Sequence, residues 1–421
     1  MTIAPERVEE TVAPRPSTTG RARFVLILGG LSAFGPLSID MYLPALPQMA
    51  GELRAADATV QLTLSAFIIG LAIGQLILGP LSDAIGRRKP LVAGLALYMV
   101  GSILCAIAPT AELLIAARGV QAFGAAAGIV IARATVRDLY SGTAMTKFFS
   151  LLMLVNGLAP ILAPIVGGQI LNWTSWRGVF VCLTVFGAIL LAVVFFLLPE
   201  PLPEERRTPA RFGSVLRKYG SLLRDRAFLG YALASGLMFG SLFAYISGSS
   251  FALQGVYGLS PQAYSLVFGL NGIGIVAVGQ LNGRIVGRFP ERKLLTVGLV
   301  IAAVAGFGVL AATVLDLGLI GLLIPLFILV SSIGMVAPNA SSLALAEQAR
   351  SAGSASALLG VLQFVVGGLA TPLVGLGGPG TAVPMGIVMA AFGVLALLAF
   401  GTMTRSSGAS VASASLVAQE A

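Results

Sequence analysis

The stretch that decides the fold is residues 79–89, Gly-Pro-Leu-Ser-Asp-Ala-Ile-Gly-Arg-Arg-Lys, which separates two long apolar runs. Each run, at residues 59–81 and 90–109, can cross the hydrocarbon core of a bilayer, which takes about 20 mainly apolar residues. A second copy, Gly-Gln-Leu-Asn-Gly-Arg-Ile-Val-Gly-Arg-Phe at residues 279–289, also separates two apolar runs. A short polar loop between membrane-length helices, repeated once, predicts a membrane protein built from two related halves.

The composition of the whole chain favours the same class. The 421 residues are 57% hydrophobic and 10% charged, whereas soluble proteins carry roughly 25% charged residues. Mean hydropathy is +0.95, so there is too little polar surface to cover a water-soluble particle. The sequence has no histidine, which excludes histidine metal sites, Ser–His catalysis and histidine proton relays. Without paired carboxylates or a nucleotide-binding loop, we expect no enzyme activity, no metal and no cofactor.

Apolar segments recur twelve times and fall into two sets of six. We therefore predict an all-α polytopic membrane protein with twelve transmembrane helices in two pseudo-symmetric six-helix bundles, residues 24–198 and 227–404. Residues 1–23 are predicted to be a disordered cytoplasmic tail, 199–226 a cytoplasmic linker, and 405–421 a second cytoplasmic tail. The predicted spans are residues 24–46, 59–81, 90–109, 112–134, 147–171, 177–198, 227–252, 262–286, 292–314, 318–345, 353–376 and 382–404.

The positions of the basic residues predict the orientation. Of the 26 lysines and arginines, 23 fall on the tails, the linker and the loops of one side; the exceptions are Arg54, Arg177 and Arg118. Loops rich in Lys and Arg remain in the cytoplasm, so we expect both termini to be cytoplasmic. The net charge of +9 is therefore a topology signal, and we expect no nucleic-acid partner.

Two opposite charges are predicted to lie inside the membrane. Asp40 is the only acidic residue that we place deep in a span, and Arg118 falls at a comparable depth on the fourth span. A charge there costs at least ~2.5–3.5 kcal/mol and usually faces a cavity or a partner. We expect a pair, direct or through water. In such a pair, burial favours the neutral form of Asp40, whereas the positive charge of the arginine favours the ionised form. Such a carboxylate can bind and release a proton; a purely structural ion pair is the alternative.

The loop at residues 79–89 has features of a gate. Gly79 permits close backbone approach, and Gly86 permits the tight turn between two spans. Asp83 can accept hydrogen bonds at a helix end or pair with Arg133 or Arg137 across the cytoplasmic face. A loop that only sets the topology is the alternative.

The fifth predicted span has a smooth face that permits kinking and close helix packing. The residues that share this face, at steps of three or four, are Gly157, Pro160, Pro164, Gly167 and Gly168. The glycines expected to meet it from the eighth span are Gly269, Gly272 and Gly274.

Polar and aromatic side chains at mid-span are candidates for lining a substrate cavity. For each of them, packing or helix pairing is the alternative interpretation. The candidates are Tyr42, Gln121, Asn156, Tyr245, Asn271, Asn339, Gln363 and Phe364.

Several of these motifs resemble those of a known transporter family. Residues 79–88, Gly-x-Leu-x-Asp-x-x-Gly-Arg-Arg, resemble the signature loop of the major facilitator superfamily. Residues 114–124, Leu-x-x-x-Arg-x-x-Gln-x-x-Gly, are similar to its fourth-span motif, whose arginine is associated with proton coupling. Residues 163–168, Ala-Pro-x-x-Gly-Gly, resemble the fifth-span motif of its antiporters.

Three further motifs narrow the resemblance. Residues 40–47 (Asp-Met-Tyr-Leu-Pro-Ala-Leu-Pro), 133–138 (Arg-Ala-x-Val-Arg-Asp) and 338–340 (Pro-Asn-Ala) are similar to the Bcr/CflA branch of bacterial drug:proton antiporters. That branch includes chloramphenicol- and florfenicol-type exporters. Gly283 departs from the pattern, because it replaces the acid in the second copy of the loop, so we expect asymmetric gating contacts.

The resemblance implies a major facilitator fold and proton-driven drug efflux by alternating access in the bacterial cytoplasmic (inner) membrane. Asp40 and Arg118 would couple protonation to drug binding, and the fifth-span face would limit leak and set exchange rather than symport. The proton gradient would supply the energy, and a monomer would act with drug, protons and lipid as partners. Asp83 with Arg87 and Arg88 would latch the cytoplasmic side. The full set of residues for this cytoplasmic gate is Gly79, Asp83, Gly86, Arg87, Arg88, Arg133, Arg137 and Asp138.

Two other functions fit a chain of this class. A proton-coupled symporter or facilitator for a small metabolite would use the same fold, although residues 163–168 favour exchange. A membrane receptor or assembly subunit that transports nothing is less compatible with short loops and no soluble domain.

Overall fold

A computed structural model describes residues 18–140, 142–207, 212–346, 348, 352–378 and 380–404. Most of the two predicted tails lies outside these residues. Helix is already present at Thr18, so the boundary predicted at residue 23 falls inside the first helix, not before it.

The first half contains seven α-helices, two of which share one membrane span. These are α1 (Thr18–Asp40), then a 3-10 turn (Leu43–Ala45), α2 (Leu46–Glu52), α3 (Asp57–Ile85), α4 (Arg88–Ile107), α5 (Ala111–Leu139), α6 (Gly142–Ile170) and α7 (Trp176–Leu197). The linker contains a 3-10 turn (Glu204–Arg206) and a helix, α8 (Phe212–Leu222), that the sequence analysis did not predict.

The second half follows the linker with six long helices. These are α9 (Arg226–Ser250), which continues into a π-helical turn (Phe251–Val256), α10 (Pro261–Ile285), α11 (Glu291–Val314), α12 (Gly318–Ala346), α13 (Ala352–Gly375) and α14 (Val383–Met403). Within the described ranges, twelve helical segments are long and apolar enough to span a membrane. The predicted fold class is confirmed.

The first span is interrupted in its C-terminal half. Helix α1 ends at Asp40, and the chain turns through a short 3-10 segment before α2 begins. Pro44 is the second residue of the 3-10 segment, and Pro47 lies in the first turn of α2. Proline has no backbone N–H and disrupts a continuing helix, so these two residues explain why the span breaks there. Backbone carbonyls near the break are left free to accept other hydrogen bonds.

The two halves are joined at one end of the molecule. We call the end that carries α8 the linker end and the opposite end the far end. Helix α3 packs against α13, and α6 packs against α10. Among the described residues, every hydrogen bond between the halves lies toward the far end: Gln61–Ser247, Ser65–Thr371, Ser250–Leu43, Gln254–Pro44, Gln262–Gly168 and Gln262–Asn172. The far end is therefore closed by contacts between the halves.

Candidate functional site

Asp40 lies at the interface between the two halves. It is the last residue of α1 and is only 4% exposed. No hydrogen bond or ion pair joins its carboxylate to another residue in the part of the chain that the structure describes. The side chains of Tyr245 and Tyr264, which belong to the second half, lie near it. Asp40 is therefore a buried carboxylate between the two halves.

The residues directly after Asp40 form part of the far-end closure. The Leu43 carbonyl oxygen accepts a hydrogen bond of 2.6 Å from Ser250 Oγ of the second half. The Pro44 carbonyl oxygen accepts one of 3.1 Å from Gln254 Nε2. Both acceptors are available because the helix breaks after Asp40. The carboxylate and the closure are thus adjacent along one chain segment.

Arg118 is held by neutral groups inside the first half. Its side chain is fully buried on α5, where Nη1 donates to Gln121 Oε1 (2.6 Å) and Nη2 to the Ser38 carbonyl oxygen (2.9 Å). The guanidinium carbon lies 4.5 Å from the ring centroid of Tyr42 and 4.2 Å from that of Phe67. Cation–π contacts of this kind stabilise a desolvated cation, so the arginine is fixed in place by its aromatic surroundings.

The expected direct pair between Asp40 and Arg118 is wrong for this conformation. No nitrogen–oxygen distance between them falls within 4.0 Å. The physical reason is the orientation of α1 about its own axis. Ser38 Oγ lies 2.7 Å from Tyr98 OH inside the first half, and side chains two positions apart on a helix point about 200° apart. Asp40 consequently faces the second half; a bridge through water stays a prediction.

The loop at residues 79–89 is organised around Arg87. Its guanidinium pairs with Asp83 through Nη1 (2.5 Å) and with Asp138 through Nε (2.7 Å), and Nη1 also donates to Ser82 Oγ (2.7 Å). Burial lowers the pKa of Arg87, but the hydrogen bonds and charges of Asp138 and Asp83 outweigh it and raise that pKa above its ordinary value. The network ties the turn between α3 and α4 to the end of α5.

Glu200 completes this network from the linker. Its two carboxylate oxygens accept hydrogen bonds from the backbone N–H groups of Arg87 (2.7 Å) and Arg88 (3.0 Å). Gly86 makes this possible, because it has φ +94 and its missing Cβ would lie 2.7 Å from Glu200 Oε2. Arg88 extends away and donates from Nη2 to the Phe195 carbonyl oxygen (2.6 Å). The sequence analysis missed Glu200, whose one signal is that it is the first acid after the sixth span.

Of the partners expected for Asp83, the structure shows Arg87, which the family resemblance implied, and neither Arg133 nor Arg137. Asp83 binds Arg87, whereas Arg133 and Arg137 form no ion pair with a described residue. The cause is local, because Arg87 is four residues away and returns to Asp83 around the turn at Gly86. Of the remaining gate candidates, Gly79 makes only ordinary contact with α5: a Cβ there would lie 3.7 Å from Val130 Cγ1.

The Gly/Pro face of α6 meets two different neighbours. A Cβ on Gly167 would overlap the Met41 carbonyl oxygen, so only glycine fits against the break in the first span. A Cβ on Gly168 would lie 2.6 Å from Ser265 Oγ of α10, and one on Gly157 3.9 Å from Val276 Cγ2. Both prolines of this face, Pro160 and Pro164, lie inside the helix.

The expected glycine partners on α10 are correct in two cases of three. Gly269 and Gly272 approach Ile161 of α6 across the interface, whereas Gly274 faces Ser331 and Phe327 of α12. The prediction for Gly274 is wrong, because its position on α10 turns it toward its own half.

Four cavity candidates lie around the two membrane charges. Tyr42 covers Arg118 and its hydroxyl lies 3.1 Å from Thr63 Oγ1, while Gln121 binds the guanidinium directly. Asn271 Nδ2 donates to Tyr245 OH (3.0 Å), and the Tyr245 ring stacks on Phe268.

The other four candidates are engaged elsewhere. Asn339 Nδ2 donates to Asn282 Oδ1 (2.7 Å), and Gln363 Nε2 donates to Ser235 Oγ (2.7 Å). Asn156 Nδ2 donates to the Leu152 carbonyl oxygen of its own helix (2.9 Å). Phe364 packs against the main apolar core. The structure therefore does not bring these four together with Asp40.

Comparison with known proteins gives a consistent result. The family model described as Major Facilitator Superfamily matches residues 28–372. An "Uncharacterized MFS-type transporter YdgK" of Bacillus subtilis (strain 168) is 44% identical over 391 residues, covering 92% of this chain and 97% of that protein. A "Bicyclomycin resistance protein homolog" of Haemophilus influenzae is 32% identical, with 90% and 96% covered.

A solved structure has the same fold. The inward-facing, occupied form of a bacterial homologue of the human lysosomal transporter Spinster superposes with a TM-score of 0.71, covering 93% of this chain and 98% of that one. Sequence identity is 17%, so the likeness concerns the fold alone.

Proposed function

The chain belongs to the major facilitator superfamily, in its Bcr/CflA-type branch, and from that premise we propose that it is a proton-driven antiporter exporting small amphiphilic drugs. Its fold and family are those of transporters. The similarity to a bicyclomycin resistance protein homolog supports drug efflux. The concentration of basic residues in the loops of one side supports a cytoplasmic linker end.

The observation that carries the proposal is the position of Asp40. It is buried, lies between the halves, and is followed at once by the segment that closes the far end. Charging a carboxyl group in such a place costs at least ~2.5–3.5 kcal/mol. The neutral form therefore favours the closed far end, and the charged form favours a conformation in which Asp40 is better solvated.

The different conformations favoured by neutral and charged Asp40 allow a cycle in which a proton is exchanged for a drug molecule. With the far end closed, the proton leaves Asp40 toward the cytoplasm as a drug molecule enters from the linker end. The charged carboxylate and the bound drug then favour opening of the far end, where the drug leaves and a proton from outside returns. Protonated Asp40 restores the closed far end. Proton and drug thus alternate on one molecule, which is the requirement for antiport.

Arg118 acts in this scheme as a positioning residue. It holds the Ser38 carbonyl and the ring of Tyr42, which flank Asp40 on the chain. Its hydrogen bonds fix the end of α1 and so set the direction in which the carboxylate points. The Arg87 network has a parallel task at the linker end, where it keeps the turn between α3 and α4 attached to α5 and Glu200 while the halves move.

Drug susceptibility of an efflux-deficient bacterial host tests the function. The host expresses the wild type, Asp40→Asn or Asp316→Asn, and is challenged with bicyclomycin and chloramphenicol. We expect several-fold resistance from the wild type and none from Asp40→Asn, which cannot exchange a proton. Asp316→Asn is the matched control, because Asp316 is exposed in a far-end loop with φ 48, a conformation that asparagine accepts. Equal amounts of each protein in the membrane must be verified.

Inverted membrane vesicles test the direction of transport. An acid interior is expected to drive drug into the vesicles, and an uncoupler is expected to abolish the accumulation. Full resistance and full accumulation with Asp40→Asn would overturn the proton-carrier role. Accumulation only in right-side-out vesicles would instead establish an importer.

A further inference from the structure

A small cavity lies at the far end, between the two halves. It is enclosed by α3 from the first half and by α9, α13 and the start of α14 from the second. Asp57 and Gln61 line it from α3, and Gly375 and Thr381 line it from the other side. Its volume is enough for a single water molecule or a small ion and far too small for a drug molecule. The proton cycle proposed above assigns no role to this place.

Gln61 presents an unpaired acceptor to the cavity. Its side chain is 1% exposed, and Nε2 donates to the Ser247 carbonyl oxygen at 3.3 Å. Oε1 has no hydrogen-bond partner among the described residues. A buried oxygen without a donor is strongly unfavourable, so an occupant of the cavity that binds oxygen would relieve it.

Asp57 adds a negative charge on the same side. It lies four residues before Gln61, and positions four apart share one face of a helix. The carboxylate forms no ion pair within the described part of the chain, and no lysine or arginine lines the cavity. Helix α13 ends at Gly375, so its last carbonyl groups also lie here. All of these groups attract a cation.

We propose that this cavity binds a monovalent cation, Na⁺, through the Asp57 carboxylate and Gln61 Oε1. Hard cations select oxygen ligands, and a single carboxylate matches a single positive charge. A divalent ion fits less well, because no group of three acidic or other metal-binding side chains exists in the described ranges.

Bound Na⁺ would link the two halves. The cavity lies beside two contacts between the halves, one between Ser65 and Thr371 and one between Gly375 and Ala58, which hold the far end closed in this structure. The ion therefore binds the closed far end and favours it over the open form. This consequence rests on the alternating cycle proposed above, whereas binding itself does not.

Binding of ²²Na⁺ to the purified full-length protein, without drug or gradient, tests the site. The midpoint of thermal unfolding is measured in parallel, in sodium chloride and in N-methyl-D-glucamine chloride of equal ionic strength. We expect saturable binding and a higher midpoint in sodium for the wild type. Asp57→Asn, and Gln61→Met, which keeps the length but removes the oxygen, are expected to bind Na⁺ about 10–100-fold more weakly, as when a metal site is disturbed.

Glu112→Gln is the matched control, because Glu112 is an exposed acid in the first turn of another far-end helix, α5. It is expected to bind Na⁺ like the wild type. A wild type without saturable sodium binding would mean that the cavity holds only water, and equal binding by the wild type and both variants would place the ion elsewhere; either result overturns the proposal. A protein that binds Na⁺ but confers no resistance refutes only the efflux proposal.

Discussion

The two halves of the molecule share a fold but differ in what they bury. Within the described residues, the buried charged side chains are Asp40, Arg87 and Arg118, all in the first half. The second half buries hydroxyl and amide groups, such as those of Asn271 and Asn339. Charge is thus concentrated in one half, and the other presents a neutral surface to it. Under the proposed antiport, this division would assign proton exchange to the first half.

The repeated loops show the difference most directly. In the first copy, Arg87 is buried against Asp83 and Asp138. In the second copy, Gly283 stands where the acid would be and Arg288 is exposed. There, a hydrogen bond between two uncharged amides, from Asn339 of α12 to Asn282 of α10, connects the helices instead. The asymmetry expected from Gly283 is therefore present in the contacts.

The largest expected effect comes from removing the buried arginine of the first loop. Arg87→Ala leaves Asp138 without its partner, and breaking a buried pair costs about 3–5 kcal/mol. The corresponding change in the second half, Arg288→Ala, removes an exposed side chain and is expected to stay within about 0.5 kcal/mol. Unfolding of both purified variants in detergent measures the difference. Equal losses would mean that the two loops are equivalent after all.

A somewhat smaller loss is expected at the buried arginine of α5. Arg118→Met keeps much of the volume but leaves Gln121 Oε1 and the Ser38 carbonyl oxygen without their charged donor, at a cost of about 3 kcal/mol. Arg118→Lys, which keeps the charge, is expected to lose less. Drug-triggered proton release per folded molecule should persist in both, because Asp40 carries the proton. Its disappearance in Arg118→Lys would make the arginine part of the proton site.

The neutral amide pair of the second half is expected to matter less. Asn339→Ala removes one hydrogen bond and leaves Asn282 partly unsatisfied, which costs about 1 kcal/mol. A double-mutant cycle with Asn282→Ala isolates the coupling between the two residues. No coupling in that cycle would show that the second half is held by packing alone.

The smallest effect is expected when the missing acid is restored. In Gly283→Asp, no atom lies within 4 Å of the new Cβ. Arg288 is exposed, so any ion pair between it and the new aspartate is solvated. Such pairs contribute about 0–1 kcal/mol. Thermal unfolding and drug resistance should both remain near wild type. Strong stabilisation, comparable with the effect of Arg87, would show that burial is not what separates the two loops.

The sequence was sufficient for the fold and for the depth of each charge. Hydropathy located twelve spans to within a few residues, because membrane helices need long apolar runs. Hydropathy could not predict how each helix is rotated about its own axis, and therefore which neighbour each side chain faces. Asp40 and Arg118 were assigned a matched depth, yet Ser38 faces the first-half interior and Asp40 faces the second half.

Contacts between distant segments were also beyond the sequence. Glu200 binds the backbone of Arg87 across more than a hundred residues, and nothing in its local pattern indicates this. The unpaired oxygen of Gln61 depends on how α3 meets α13, which no single segment specifies. For Asp83, the residues alone indicated Arg133 or Arg137 as partner, and only the family resemblance indicated Arg87, which the structure places beside it.

Proton release on drug addition tests the central role of Asp40 most directly. Purified protein in weakly buffered detergent solution receives a saturating drug, and an indicator dye reports the pH. The account predicts release of about one proton per wild-type molecule, because one buried carboxylate carries it. It predicts none from Asp40→Asn, even though that variant still binds the drug. Equal release from Asp40→Asn and the wild type would contradict the account.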